Sequence, residues 1–323
     1  MNPLYHNFIG IDIGKETFYT NVHGRALCPT FLNTPAGWQA FVEKHQAMLE
    51  QAFLVLETTG GYETGLLLFL RMQGIAVHRA DTRKVKRFIQ SWGKNGKSDS
   101  IDAKALALYG QERHRSLALY EAADKVHQEL FELTQRRIVL MRMVAQEKTR
   151  LQGPRVAMVA ESHRALIAVL MQEVRAINAK IQERFDAHPA LKAERSVLMT
   201  VPGIGIITAQ ALLSLLPEIG RLNRRKIASL AGLAPHPNES GKTIGYRRTK
   251  GGRSEVRSAL FMAGMAAMSS KSPLGSFYAS LIGRGKRKMV ALTALMRKIL
   301  VIANARLRDH LREVAAKETA ISA

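Results

Sequence analysis

The run Phe8-Ile9-Gly10-Ile11-Asp12-Ile13-Gly14 alternates with the period of a strand, setting Ile9, Ile11 and Ile13 on one face and Gly10, Asp12 and Gly14 on the other. Two further strand-like stretches, Thr17–His23 and Ala26–Asn33, are punctuated by Gly24 and Pro29, which predicts a three-strand meander. Pro35–Leu49 has apolar residues at helical spacing (Trp38, Phe41, Val42, Met48), and Ala52–Leu56 is a wholly apolar run of the kind that forms a buried parallel strand. A helix over Tyr62–Met72, a strand over Ile75–Ala80 and a basic helix over Thr82–Trp92 complete a βββαβαβα order. That order predicts a mixed sheet flanked by helices.

Further along, Asp124–Arg150 and Ser162–Asp186 are long, charged and helical in pattern, with Leu130, Leu133, Ile138, Met141 and Val144 as an apolar stripe. Gly153-Pro154 divides them, so the region reads as a helical hairpin or coiled coil. Val201-Pro202-Gly203-Ile204-Gly205, followed by the helical run Thr208–Leu213, has the form of a helix-hairpin-helix. In such a unit Gly203 and Gly205 permit a tight turn, and backbone N–H groups of the next helix can hold a phosphate. Ala231–Gly241 is a Pro- and Gly-rich loop, Leu260–Met268 and Val290–Arg306 are Ala- and Met-rich helices, and the last few residues read as disordered.

Composition changes this picture in one respect. The chain's 323 residues allow two or three domains, but 48 Lys and Arg against 26 Asp and Glu leave a net charge of +22, which calls for a polyanionic partner. Nucleic acid is the first candidate, because clustered cations release counterions from phosphates. Cations concentrate at Arg83, Lys84, Lys86, Arg87, Lys94 and Lys97, then at Arg247, Arg248, Lys250, Arg253 and Arg257, then at Arg284, Lys286, Arg287 and Lys288, and Arg221, Arg224, Arg225 and Lys226 add a further group. Each is either a solvated face or a set of backbone contacts. One cysteine, Cys28, excludes an intrachain disulfide and a Cys-rich zinc or iron–sulfur site, and points to a reducing compartment. No stretch approaches the ~20 apolar residues of a membrane span, so the expected setting is cytoplasmic, without membrane association.

The candidate chemistry lies in four acids. Asp12 and Glu57 both fall at the carboxyl ends of predicted strands, where functional groups of such sheets collect. In Lys97-Ser98-Asp99-Ser100-Ile101-Asp102-Ala103, Ser98 can cap a helix, and Asp99 and Asp102, three apart, share one helical face. Read singly, Asp12 is a ligand or a rim residue, and the helical pair either offsets a macrodipole or joins a site. Together the four resemble a ribonuclease-H-like nuclease site, whose carboxylate oxygens suit Mg²⁺ or Mn²⁺. Ser240, in Glu239-Ser240-Gly241 beside the second basic cluster, is a solvated turn residue or a nucleophile with cations to balance developing charge.

Phe8–Gly14, Glu57-Thr58-Thr59-Gly60-Gly61-Tyr62-Glu63, Lys97–Ala103, Pro202–Gly205, Glu239-Ser240-Gly241 and Arg247–Arg257 occur in an order that resembles the DEDD recombinases (transposases) of IS110 insertion sequences, most closely their eleven-eleven subgroup. Piv-type invertases belong to the same family, and resolvases of the RuvC kind share its N-terminal fold. The resemblance implies a RuvC-like catalytic domain over 1–118, a helical coiled coil over 119–192 and a mainly helical transposase domain over 193–323. It further implies that Asp12, Glu57, Asp99 and Asp102 bind the metal and that Ser240 forms a phosphoserine link to DNA. By the same resemblance the site is composite between subunits, the assembly is a dimer or tetramer at the nucleoid, and a noncoding guide RNA chooses the DNA. An RNA-independent invertase, a junction resolvase using water, and a basic binding protein with structural acids are the alternatives.

Overall fold

The alternating run near the N-terminus is the middle strand of a five-stranded mixed sheet in the computed structural model of the chain. Strand β1 (Asn7–Ile13) pairs antiparallel with β2 (Thr17–Val22), which pairs antiparallel with β3 (Thr30–Leu32). After helix α1 (Pro35–Leu49), β4 (Ala52–Glu57) lies parallel to β1. After α2 (Thr64–Met72), β5 (Ala76–Ala80) lies parallel to β4, and the order across the sheet is β3-β2-β1-β4-β5. Helices α3 (Thr82–Ser91) and α4 (Asp99–Arg113) complete the unit Met1–Ala122. The structure describes residues 5–58, 60–92, 99–121, 124–237, 239–240, 243–244, 247–269 and 271–321, with the backbone alone at 99–101, 239–240, 243–244 and 321.

Local chemistry explains these boundaries. Thr34 caps α1 by accepting from the Gly37 N–H, with Pro35 at the first position, and Asp81 caps α3 by accepting from the N–H groups of Arg83 and Lys84. The sheet is packed on both faces. Ile9, Ile11, Ile13, Leu54, Leu56 and Val77 meet α1 and α2 in one core, while Phe8, Phe53, Val55 and Ala80 join Val85, Phe88, Leu106 and Tyr109 of α3 and α4 in another. The Gly10 face of β1 is therefore covered rather than open.

His45 gives the first core a titration. It is 6% exposed, its ring sits 5.0 Å from that of Phe41, and neither ring nitrogen has a hydrogen-bond partner. Burial, then the nearby charges of Lys44 and Arg25, pushes its pKa below the ordinary 6.5. The folded state thus disfavours a proton that the unfolded chain accepts below about pH 6.5. Stability is expected to be full above that value and to decline as pH falls through it, by no more than about 1.4 kcal/mol per pH unit for this group. Thermal melting between pH 7.5 and 5.5 checks this: the midpoint should fall in the native chain and fall less steeply in His45→Phe, and equal slopes would refute it.

The second unit, Ala123–Ala323, is helical. Its long antiparallel pair, α5 (Lys125–Leu151) and α6 (Ala157–Ala187), forms the expected hairpin. Leu130, Ile181 and Phe185 at one end belong to the same core as the C-terminal helices, and Leu140, Val144, Leu170 and Val174 form a smaller cluster along it. Met141, expected inside the stripe, is 37% exposed, and Leu140 is buried beside it instead. Then come α7 (Pro189–Met199), α8 (Ile206–Leu215) and α9 (Arg224–Leu230). Two short ribbons follow, β6 (Pro235–His236) with β9 (Arg248–Thr249) and β7 (Glu239–Ser240) with β8 (Thr243–Ile244). Helices α10 (Ser254–Met268), α11 (Pro273–Gly283) and α12 (Lys288–Ile321) close the unit. Helix α11 was not expected, and α12 runs through the tail that reads as disordered, its last turns exposed. No helix among the described residues is long and apolar enough to cross a membrane.

Candidate active site

Register brings the first two acids together. Ile11 of β1 pairs with Leu56 of β4, so the next residues at the same offset are Asp12 and Glu57, on neighbouring strands roughly 5 Å apart. Alternation puts both on the face that carries Phe8, Gly10, Phe53 and Val55, and both are half-buried. The Glu57 end is tied to its neighbours: the Thr58 N–H donates to the Ala80 carbonyl, and the hydroxyls of Thr58 and Thr82 are 3.1 Å apart.

Helix α4 carries the other two and lies across β1. A Cβ on Gly10 would lie 2.0 Å from the Ala103 carbonyl oxygen and 2.3 Å from the Ala107 nitrogen, so the helix backbone rests directly on β1. At the other end Gly110 sits against Val55, Phe53 and Phe8, which makes α4 run antiparallel to β1, with its N-terminus toward the Asp12 end. The stripe facing the sheet is Ala103, Leu106, Ala107 and Gly110, and one turn earlier the same stripe holds positions 99 and 102. Moving two residues along β1 from Gly10 to Asp12 covers about the same length as that one turn. Asp102 is half-buried; the side chain of Asp99 lies outside the described residues.

Among the described residues no group of three or more His, Cys, Asp or Glu stands close enough to hold a metal ion, and Asp12, Glu57 and Asp102 each have partners within the protein. Asp12, Glu57 and Asp102 offer carboxylate oxygens on the strand ends and on α4. Their chemistry fits a hard divalent cation. A fifth acid, named above only as part of a motif, holds the loop after Glu57. Glu63 is fully buried, pairs with Arg79 of β5 and accepts from the Gly61 N–H at 3.0 Å. Its only sequence signal is a Gly-Gly turn two residues before an acid.

The basic positions divide. Arg83, Lys84, Lys86 and Arg87 are exposed along α3, although Arg83 is paired with Asp81 at 3.3 Å; Lys94 and Lys97 lie outside the described residues. Arg248 and Lys250 are exposed on and beyond the returning arm of the ribbon, as is Arg247, which has a partner. Lys286, Arg287 and Lys288 are exposed at the turn into α12, where Gly285 takes a φ of +76°. Arg253 is different. Its guanidinium makes two bonds to Glu218, at 2.6 and 2.7 Å, and a third to the Leu215 carbonyl, so its fork is spent inside the protein. Burial works against the Glu218 carboxylate, but Arg253's hydrogen bond and charge hold its pKa below the ordinary range.

Gly203 also has a structural task. At φ +90° its missing Cβ would lie 2.4 Å from the Ala263 carbonyl oxygen, so this glycine packs closely against α10. Gly205 has open space beside it at the start of α8. Ser240 is not in an irregular loop but on β7, its backbone opposite Thr243 near the end of a ribbon. At the ribbon's base Gly232 and Gly252 touch, and Arg257 donates to the Gly251 carbonyl at 2.8 Å.

A five-stranded mixed sheet with Asp12 and Glu57 side by side at its strand ends, in a chain of net charge +22, is consistent with a ribonuclease-H-like domain that acts on nucleic acid. A transposase model of the DEDD IS110 type matches residues 9–154, and a model described as Transposase IS116/IS110/IS902 family matches 195–279. Over 312 residues the chain is 28% identical to the pilin gene-inverting protein of Moraxella lacunata, covering 94% of this chain and 96% of that one, and the Moraxella bovis protein matches to the same extent. The 43.6 kDa protein of insertion element IS110 of Streptomyces coelicolor is 31% identical over 145 residues, 44% of this chain and 35% of that protein. The chain belongs to the IS110 family of transposases and recombinases, whose members cut DNA and transfer strands.

Proposed function

We propose that this enzyme cuts and rejoins DNA through a divalent-metal site formed by Asp12, Glu57, Asp99 and Asp102, with Ser240 as nucleophile. The observation that carries the reading is the shared face of Asp12 and Glu57, with the N-terminal turn of α4 directed to it by the Gly10 seat. Mg²⁺ or Mn²⁺ held there would stabilise the attacking and leaving oxygens of a phosphodiester. The Ser240 hydroxyl loses its proton and forms a bond to phosphorus as the strand's P–O bond breaks, and the departing strand-end oxygen takes up a proton. Attack on the phosphoserine by the hydroxyl of another strand end reverses these events, rejoining DNA and restoring the serine. As the family resemblance implies, the reading includes a composite site in a dimer or tetramer, one subunit's acids beside another's ribbon.

Denaturing electrophoresis with end-labelled DNA tests the nucleophile. The native chain with Mg²⁺ is expected to yield a protein–DNA adduct that is absent in Ser240→Ala. An adduct that persists in the variant, or strand cleavage with no adduct in the native chain, would overturn it in favour of a different nucleophile or of water.

Two uses of this chemistry follow from the relatives. The end-to-end match to gene-inverting proteins favours site-specific inversion. The insertion-element relatives favour transposition, and the family resemblance adds direction by a noncoding guide RNA. Ribonuclease treatment of the purified complex separates them: loss of DNA pairing supports guidance, and unchanged recombination supports inversion.

A further inference from the structure

A cavity of about 450 Å³ lies between α3 and the C-terminal half of α4, away from the acids. Lys84, Arg87, Phe88 and Ser91 fall on one face of α3 at helical spacing, and Tyr109 and Arg113 face them from α4. Among the described residues no carboxylate lines it. The acid at the start of α3, Asp81, is turned to the Arg83 side chain and to the N–H groups of the helix. Among the described residues Lys84, Arg87 and Arg113 form no ion pair, so three like charges border one space, with Asp81 the nearby acid, whose charge reaches Tyr109. The Ser91 hydroxyl is already committed, donating to the Phe88 carbonyl at 2.6 Å.

The apolar part of the lining is aromatic. Phe88 and Tyr109 are 8% and 7% exposed, their rings edge to face at 5.2 Å, and the Arg113 guanidinium stands 6.0 Å over the Phe88 ring. An inorganic anion would leave most of this volume empty, whereas a flat apolar body attached to a phosphate would fill it and neutralise the cations together. Pockets of about 300–1,000 Å³ take ligands of that size.

We infer that this cavity is a nucleotide subsite, taking one nucleotide of a single strand with its phosphate on Lys84, Arg87 and Arg113 and its base against Phe88 and Tyr109. Bases in a duplex are stacked and cannot enter; a single strand can turn one aside onto aromatic and cationic side chains. From Asp102 to Tyr109 along α4 is about 10 Å. The subsite needs no strand transfer, and its occupancy is measurable with the metal withheld.

The test uses the full chain with a chelator and fluorescent single-stranded octamers of DNA and of RNA, read by anisotropy at fixed salt. Arg113→Gln and Arg87→Gln, on two helices so that one misfolded variant does not decide the matter, are each expected to weaken binding about tenfold. Arg25→Gln, which removes the same charge from an exposed turn beyond β2, is expected to weaken it less than about twofold, the share of net charge alone. An octamer carrying 5-iodouracil is expected to cross-link to the peptide bearing Tyr109 or Phe88, with loss of that cross-link in Arg113→Gln. Loss with DNA, with RNA or with both supports the subsite and tells which strand enters it. Equal effects of Arg113→Gln and Arg25→Gln, or cross-links mapping only elsewhere, would overturn it. Since the chelator prevents metal-dependent cleavage, failure here leaves the strand-transfer reading untouched, and the reverse holds as well.

Discussion

Gly10→Ala is expected to unseat α4 and to destabilise the N-terminal unit by about 3 kcal/mol or more. The added methyl would fall 2.0 Å from the Ala103 carbonyl oxygen, 2.3 Å from the Ala107 nitrogen and 2.8 Å from the Leu106 Cβ, and two of those three atoms are helix backbone. No rotamer relieves such a contact, so the helix must lift. Lifting it withdraws positions 99 and 102 from the strand ends that carry Asp12 and Glu57, and DNA cleavage should fall further than the melting temperature alone would explain. Hydrogen exchange in α4, melting and cleavage on one preparation check this. A variant with native melting and native cleavage would show that the helix tolerates displacement and that its seat on β1 does not set the site.

The second large effect concerns charge rather than shape. Asp12→Asn and Glu57→Gln keep size and hydrogen-bonding capacity but remove the anionic oxygens that in the proposed site would hold a hard cation, and each is expected to reduce strand cleavage at least about a thousandfold. Binding to DNA should survive, because the exposed cations of α3 and of the ribbon are unaltered. Metal is expected to raise the melting temperature of the native chain and not of either variant, by the ordinary linkage of ligand binding to folding. Native-like cleavage by Asp12→Asn would remove these acids from the chemistry.

Several of these features were legible before the fold. The alternation at Phe8–Gly14, the helical spacing after Pro35 and the apolar run before Glu57 predicted β1, α1 and β4 nearly to the residue, since strand and helix periods are written in neighbouring side chains. The sequence of the ribbon bearing Ser240 reads as a loop because each of its strands is two residues long, too short for any period to show. Helix α11 was missed within a stretch rich in Gly, Ser and Pro, where the Ser272 cap and Pro273 start a helix that composition alone disguises.

Alone, the sequence determined the order of elements, the basic surplus and the strand-end positions of two acids, all of which follow from local pattern or from simple counting. Only the tertiary structure decided that Gly10 is the seat of α4, that Arg253 is spent on Glu218 while Lys84, Arg87 and Arg113 form no ion pair among the described residues, and that a buried Glu63 secures the loop after Glu57. Partners separated by tens of residues cause those outcomes, and whether a given side chain meets one is set by packing and desolvation, which no local period encodes.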